Sequence, residues 1–208
     1  MVTMKKQLLT LALLIGSAGV FAAENLVLNE NFESQNFPPQ GWTVTGTELP
    51  ENLEATAFAH WDLNWNEVTG SPIAGSGCAE VVSNYAEGAA GITKEEWLIT
   101  PSVNIAQDAT LSFVFWCNAS AFLPSEKTYG RFIIKVSTDD GSSWTDLWNV
   151  ASQEDVENSG LPWPWDRTAT GSVANWQKLT PSISLKAYEG KSVKVAFYFQ
   201  SILVRDYT

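Results

Sequence analysis

The chain has 208 residues, 45% of them hydrophobic, and a formal net charge of −11. That is enough sequence to bury a real core in one domain. The charge disfavours nucleic acid and anionic membrane as partners, because a surface of this sign repels both.

Taken in chain order, the first element is a leader. Lys5 and Lys6 precede an apolar run from Leu8 to Phe21, and small residues follow. This is the layout of a secretory signal peptide over residues 1–22, with Met4 as an alternative start. Cleavage after Ala22 places Val20 and Ala22 at the two positions that want small side chains. The run of about 14 apolar residues is too short to span a bilayer. The mature chain, 23–208, is expected to have no transmembrane segment and to be secreted or held at the cell surface. Removing residues 1–22 takes away two lysines and no acid, which moves the formal charge from −11 to −13.

Beyond the leader, period-two alternation dominates. In Ala109–Asn118, Leu111, Phe113, Phe115 and Cys117 share one parity. In Arg131–Ser137 the set is Phe132, Ile134 and Val136, and in Ser192–Gln200 it is Val193, Val195, Phe197 and Phe199. Such β-branched and aromatic runs, bounded by Gly, Pro, Asp and Ser, predict strands. Shorter strands are predicted at Leu26–Leu28, Trp42–Val44, Cys78–Val82, Trp97–Thr100 and Trp176–Leu179. Ala151–Asn158 is acidic and reads as loop or a single turn, and long loops are expected at 46–85 and 151–175. Many short strands with turn signals between them predict an all-β fold, an antiparallel jelly-roll β-sandwich. Cys78 and Cys117 allow either a disulfide, which secretion permits, or two buried thiols.

Four stretches, in this order, carry a family resemblance: NFESQNFPPQGW (Asn31–Trp42), Cys78-Ala79 after a Gly-Ser loop, EWLITPSV (Glu96–Val103) followed by LSFVFW, and VSTDDGSSWT (Val136–Thr145). Together they resemble the cleaved-adhesin domains of gingipain-type surface proteins and the related choice-of-anchor J domains. The resemblance covers roughly Asn25 to Gln200. It implies a secreted, non-catalytic jelly roll used in adhesion, with a host or cell-surface protein or a glycan as ligand and, in some members, a structural calcium ion. It also implies a closing strand with an Ile-Asp-Asp-Val-like run. FYFQSILVRDYT lacks that run, so the C-terminal closing strand is expected to be missing or altered.

Calcium needs six to eight hard oxygens. The candidates are Glu33, by resemblance, and Asp62, Asn64 and Asn66, which place oxygen ligands at alternate positions. An EF-hand is excluded, because Glu67 stands where the turn glycine belongs and Ile73 where the closing Glu belongs. Trp61, Trp65, Trp163 and Trp165 lie in the two long loops and are the candidate ligand-binding residues. Exposed tryptophans of this kind stack on sugars or anchor protein contacts. The alternative function is therefore a carbohydrate-binding module serving a secreted hydrolase.

Catalysis finds little support. His60 is the sole histidine, and no G-x-S-x-G turn accompanies it. Asp139 and Asp140 are adjacent in SxDxGxSW, an Asp-box pattern, and their spacing is that of a hairpin turn.

Overall fold

The computed structural model describes residues 7–17, 28–34, 36–48, 60–65, 77–83, 93–117, 130–163 and 177–202. They form an all-β sandwich of antiparallel sheets with one short helix. The strands are β1 (Gln7–Ser17), β2 (Leu28–Glu30), β3 (Thr43–Gly46), β4 (Asp62–Trp65), β5 (Gly77–Ser83), β6 (Thr93–Ile99), β7 (Val103–Asn104), β8 (Ala109–Cys117), β9 (Gly130–Ser137) and β10 (Thr145–Asn149). After the helix α1 (Gln153–Asn158) come β11 (Gln177–Leu179), β12 (Ser182–Ser184) and β13 (Ser192–Ile202).

The first sheet has the order β11-β8-β1-β5-β4, with β12 also on β8 and β2 also on β1. The second has the order β10-β9-β13-β6-β3, with β7 on β13. Alternation places the predicted sets between the layers: Leu111, Phe113, Phe115, Phe132, Ile134, Val136, Val193, Val195, Phe197 and Phe199 are all buried. Phe113 is the hub, meeting Phe132, Trp148 and Phe197 edge-on at 5.4–6.2 Å. Edge-to-face packing suits the quadrupoles of the rings. Trp42 enters the core as expected, stacked on Phe197 at 6.4 Å.

Trp148 is 2% exposed, and its indole N–H donates to the Asp155 carbonyl and to Ser159 Oγ. Burying a ring of that size stabilises by roughly 4–6 kcal/mol as an upper bound. The partners come from α1, where the sequence predicted loop or a single turn. Ser152 caps the helix by accepting from the Asp155 N–H, Glu154 and Asp155 lie in its first turn, and Val156 is fully buried. The cap and the single buried valine outweigh the weak helical pattern of the segment. Gly160, at φ 82°, ends it in the left-handed conformation that glycine favours.

Within the expected leader, β1 (Gln7–Ser17) takes up much of the apolar run Leu8–Phe21 and is the middle strand of the first sheet, antiparallel to both β5 and β8. It stands between the strands that carry Cys78 and Cys117. Two strand spacings amount to about 10 Å, beyond the reach of a disulfide. No helix among the described residues is long and apolar enough to cross a membrane.

Candidate ligand-binding face

On the second sheet, residues of the parity opposite to the core set fall into rows, in which Ile133, Ala196 and Tyr198 are buried beneath their neighbours. In an antiparallel ladder, directly opposed residues share a face. Thr45 opposes Trp97, Trp97 opposes Tyr198, and Tyr198 opposes Ile133. The next outward row is Glu95, Gln200 and Arg131. A third holds Ile99, Ala196, Lys135 and Asp146.

The aromatic row is held firmly. The Trp97 and Tyr198 rings lie 4.5 Å apart, and Trp144 leans over from the β9–β10 turn to within 5.6 Å of Trp97, tilted by 48°. Lys135 Nζ lies 4.8 Å from the Tyr198 ring centre and 2.5 Å from Asp146 Oδ1. Tyr198 donates its O–H to Glu95 Oε1 at 2.7 Å, and Gln200 Nε2 donates to the same oxygen at 3.2 Å. Burial, then the Glu95 carboxylate, pushes the Tyr198 phenol well above its ordinary range. Trp97 and Trp144 stay partly exposed, while Arg131 is exposed. The result is two partly exposed indoles packed over the buried Tyr198 ring and flanked by a carboxylate, an amide and a guanidinium. Such a surface offers stacking together with directional hydrogen bonds.

The Asp-box turn that presents Trp144 has the predicted mechanics. Asp139 accepts the Ser143 N–H at 2.9 Å and the Ser137 and Ser143 hydroxyls at 2.7 and 2.5 Å. These bonds, that from the Ser143 hydroxyl most of all, hold its carboxyl down at about 2. Asp140 and Gly141 take φ of 59° and 95°. Lys194 Nζ, 2.7 Å from Asp140, lowers that acid also and ties the turn to β13.

A second constellation, unforeseen in the sequence, lies inside one end of the sandwich. Lys94 and Glu96 have the core-facing parity of β6 and are 3% and 1% exposed. Their charged atoms are 3.1 Å apart, and His60 Nδ1 meets Glu96 Oε2 at 2.9 Å. His60 leads into β4 of the first sheet, so this cluster clamps the two layers together. Burial raises the Glu96 carboxyl despite the opposing pull of Lys94 and the hydrogen bond with His60. Gly46 makes the site possible: a Cβ there would collide with both carboxylate oxygens of Glu96.

Of the predicted ligand tryptophans, Trp61 is 2% exposed in the core, which removes it from any stacking surface. Its indole N–H has no hydrogen-bond partner among the described residues. Trp163 is partly buried and packs against the core. Trp65 ends β4 opposite Gly77, and Trp165 lies outside the described residues.

Of the calcium candidates, Glu33 Oε1 accepts the Gly77 N–H at 3.0 Å, whereas Asp62 lies opposite Glu80 with Oδ1 on the Leu63 N–H. Gly77 and Glu80 are three strand residues apart, about 10 Å, so Glu33 and Asp62 serve different points. Asn64 opposes Cys78, and Asn66 lies outside the described residues. Among the described residues no three His, Cys, Asp or Glu side chains form a metal-holding group.

The residues that sequence reasoning missed are Trp97, Tyr198, Glu95, Gln200 and Arg131. A signal was present: each has the parity opposite to the core set of its strand. Comparison with family models, curated proteins and solved structures found no match for this chain.

Proposed function

We propose that this chain is a secreted, non-catalytic adhesion or ligand-binding module of a cell-surface or extracellular protein, and that its ligand lies on the outer face of the second sheet. The observation that carries the reading is the Trp97–Trp144–Tyr198 surface beside Glu95, Gln200 and Arg131. The Trp97 and Trp144 indoles, left partly exposed and braced by the buried Tyr198 ring, lose little entropy when they bind, which favours their use as anchors. The sequence resemblance to cleaved-adhesin domains supports the same reading.

The ligand is a host or cell-surface protein or a glycan. One feature favours the carbohydrate-binding alternative: tilted indoles adjoin polar groups able to bond hydroxyls in fixed directions. The overall negative charge favours neutral over sulfated glycans. The test is binding to a glycan array and to matrix proteins. A signal that survives both Trp97→Ala and Trp144→Ala would remove this face from the proposal.

A structural calcium ion at the Glu33 end of β4 is the remaining part of the proposal. Extracellular calcium modules bind at about 10⁻⁴–10⁻³ M. Chelation is expected to lower the melting temperature, with calcium restoring it and Glu33→Gln abolishing the difference. A melting curve indifferent to chelator would remove the ion.

A further inference from the structure

The centre of the first sheet and the leader draw on the same residues. β1 pairs with β8 along Thr10–Ser17 and, on its other side, with β5 along Gln7–Leu11 and with β2 along Leu13–Ile15. β1 shares residues 8–17 with the apolar run Leu8–Phe21 of the expected signal peptide. Removal of residues 1–22 would leave the edge of β8 unpaired and, across a gap of about 10 Å (two strand spacings), the edges of β5 and β2 unpaired. Unpaired backbone donors and acceptors within a sheet are unfavourable and template pairing with another chain.

We propose that the slot between β8 and the edge formed by β5 and β2 is a strand-acceptor site, filled after leader removal by an extended apolar strand of a second polypeptide, antiparallel to all three neighbours. The proposal rests on the leader reading and is independent of the ligand face. The register states what the donor must be. Leu9 stands opposite Val81, Leu11 opposite Ala79 and Phe115, Leu13 opposite Phe113, and Ile15 opposite Leu111. All five of those partners are at most 1% exposed. A donor therefore needs aliphatic, uncharged residues at four alternate positions, with backbone bonds on both sides supplying affinity. A second copy trimmed in the same way lacks the same segment, so the donor is a different polypeptide.

The test uses the whole chain. A protease site is placed between residues 18 and 27, and the 208-residue protein is folded before it is cut. The nicked protein is expected to retain its N-terminal fragment through gel filtration and to exchange it for labelled QLLTLALLIGS peptide. The same peptide with Leu11→Lys and Leu13→Lys is expected to be taken up at least tenfold less. Stripping the fragment should lower the melting temperature, and the apolar peptide should restore it. Loss of the fragment with unchanged melting, or equal uptake of both peptides, would overturn the slot. The intact mass of the secreted protein tests the leader separately. A product beginning at Met1 or Met4 overturns the leader, and with it the partner strand. A product beginning at residue 23 that takes up neither peptide overturns the slot alone.

Discussion

Glu96 is the acid held furthest from water, and its neighbours explain why it is tolerated. It is an ionisable group on the core side of a strand, stabilised by Lys94 and His60 and accommodated by the missing side chain of Gly46. Gly46→Ala is expected to displace the carboxylate and destabilise the fold by roughly 1–3 kcal/mol, the usual range for overpacking. Urea unfolding measures this. Glu96→Ala, which leaves Lys94 facing the cavity, is expected to cost more, about 3–5 kcal/mol. Asp139 behaves in the opposite sense. Its folded carboxyl titrates at about 2, below the ordinary value of 3.8. Its contribution is therefore present above pH 3.8 and is lost as pH falls toward 2. Melting temperatures from pH 5 to pH 2 should fall, and Asp139→Asn should flatten that fall. At the alkaline end, the Tyr198 phenol stays protonated well above the ordinary tyrosine value, so its contribution to the fold is whole below about pH 10 and is lost progressively as pH rises from there toward its own raised value. Absorbance titration should show a late tyrosine among the five of the chain that Tyr198→Phe removes.

At the scale of elements, the long strands were legible because their alternation is regular and their core residues are large. β8, β9 and β13 fall where Leu111–Phe115, Phe132–Val136 and Val193–Phe199 place them. The Asp-box turn was legible for a different reason: its serines, Asp139 and Gly141 carry the turn geometry locally. β4 and β12 escaped notice, since DLNW and SIS are short and polar and gain strand form by pairing with β5 and β8. The segment of α1 reads as loop or a single turn because its helical character rests on one cap and one buried side chain. Ser152→Ala is expected to destabilise by about 1 kcal/mol, measurable by chemical denaturation. The indole N–H of Trp148 bonds to Asp155 and Ser159, so the change should also alter core tryptophan fluorescence.

For the whole molecule, the sandwich was foreseeable from alternation, and the location of the candidate site was not. Sequence reasoning looked for exposed tryptophans in loops, where Trp61 instead proves to be core. Which tryptophan stays near solvent depends on cross-strand register, and the sequence of one strand does not contain that information. The register sets Trp97 beside Tyr198 and brings Glu95 into line with Gln200 and Arg131. The measurement that tests the ligand face most directly is a titration of the best array ligand against the native protein and against Trp97→Ala and Trp144→Ala variants with native melting curves. Loss of an aromatic anchor of about 2 kcal/mol corresponds to roughly a 30-fold weaker Kd, and that is the predicted result for each variant. An unchanged Kd in both would contradict the assignment of the ligand to this face.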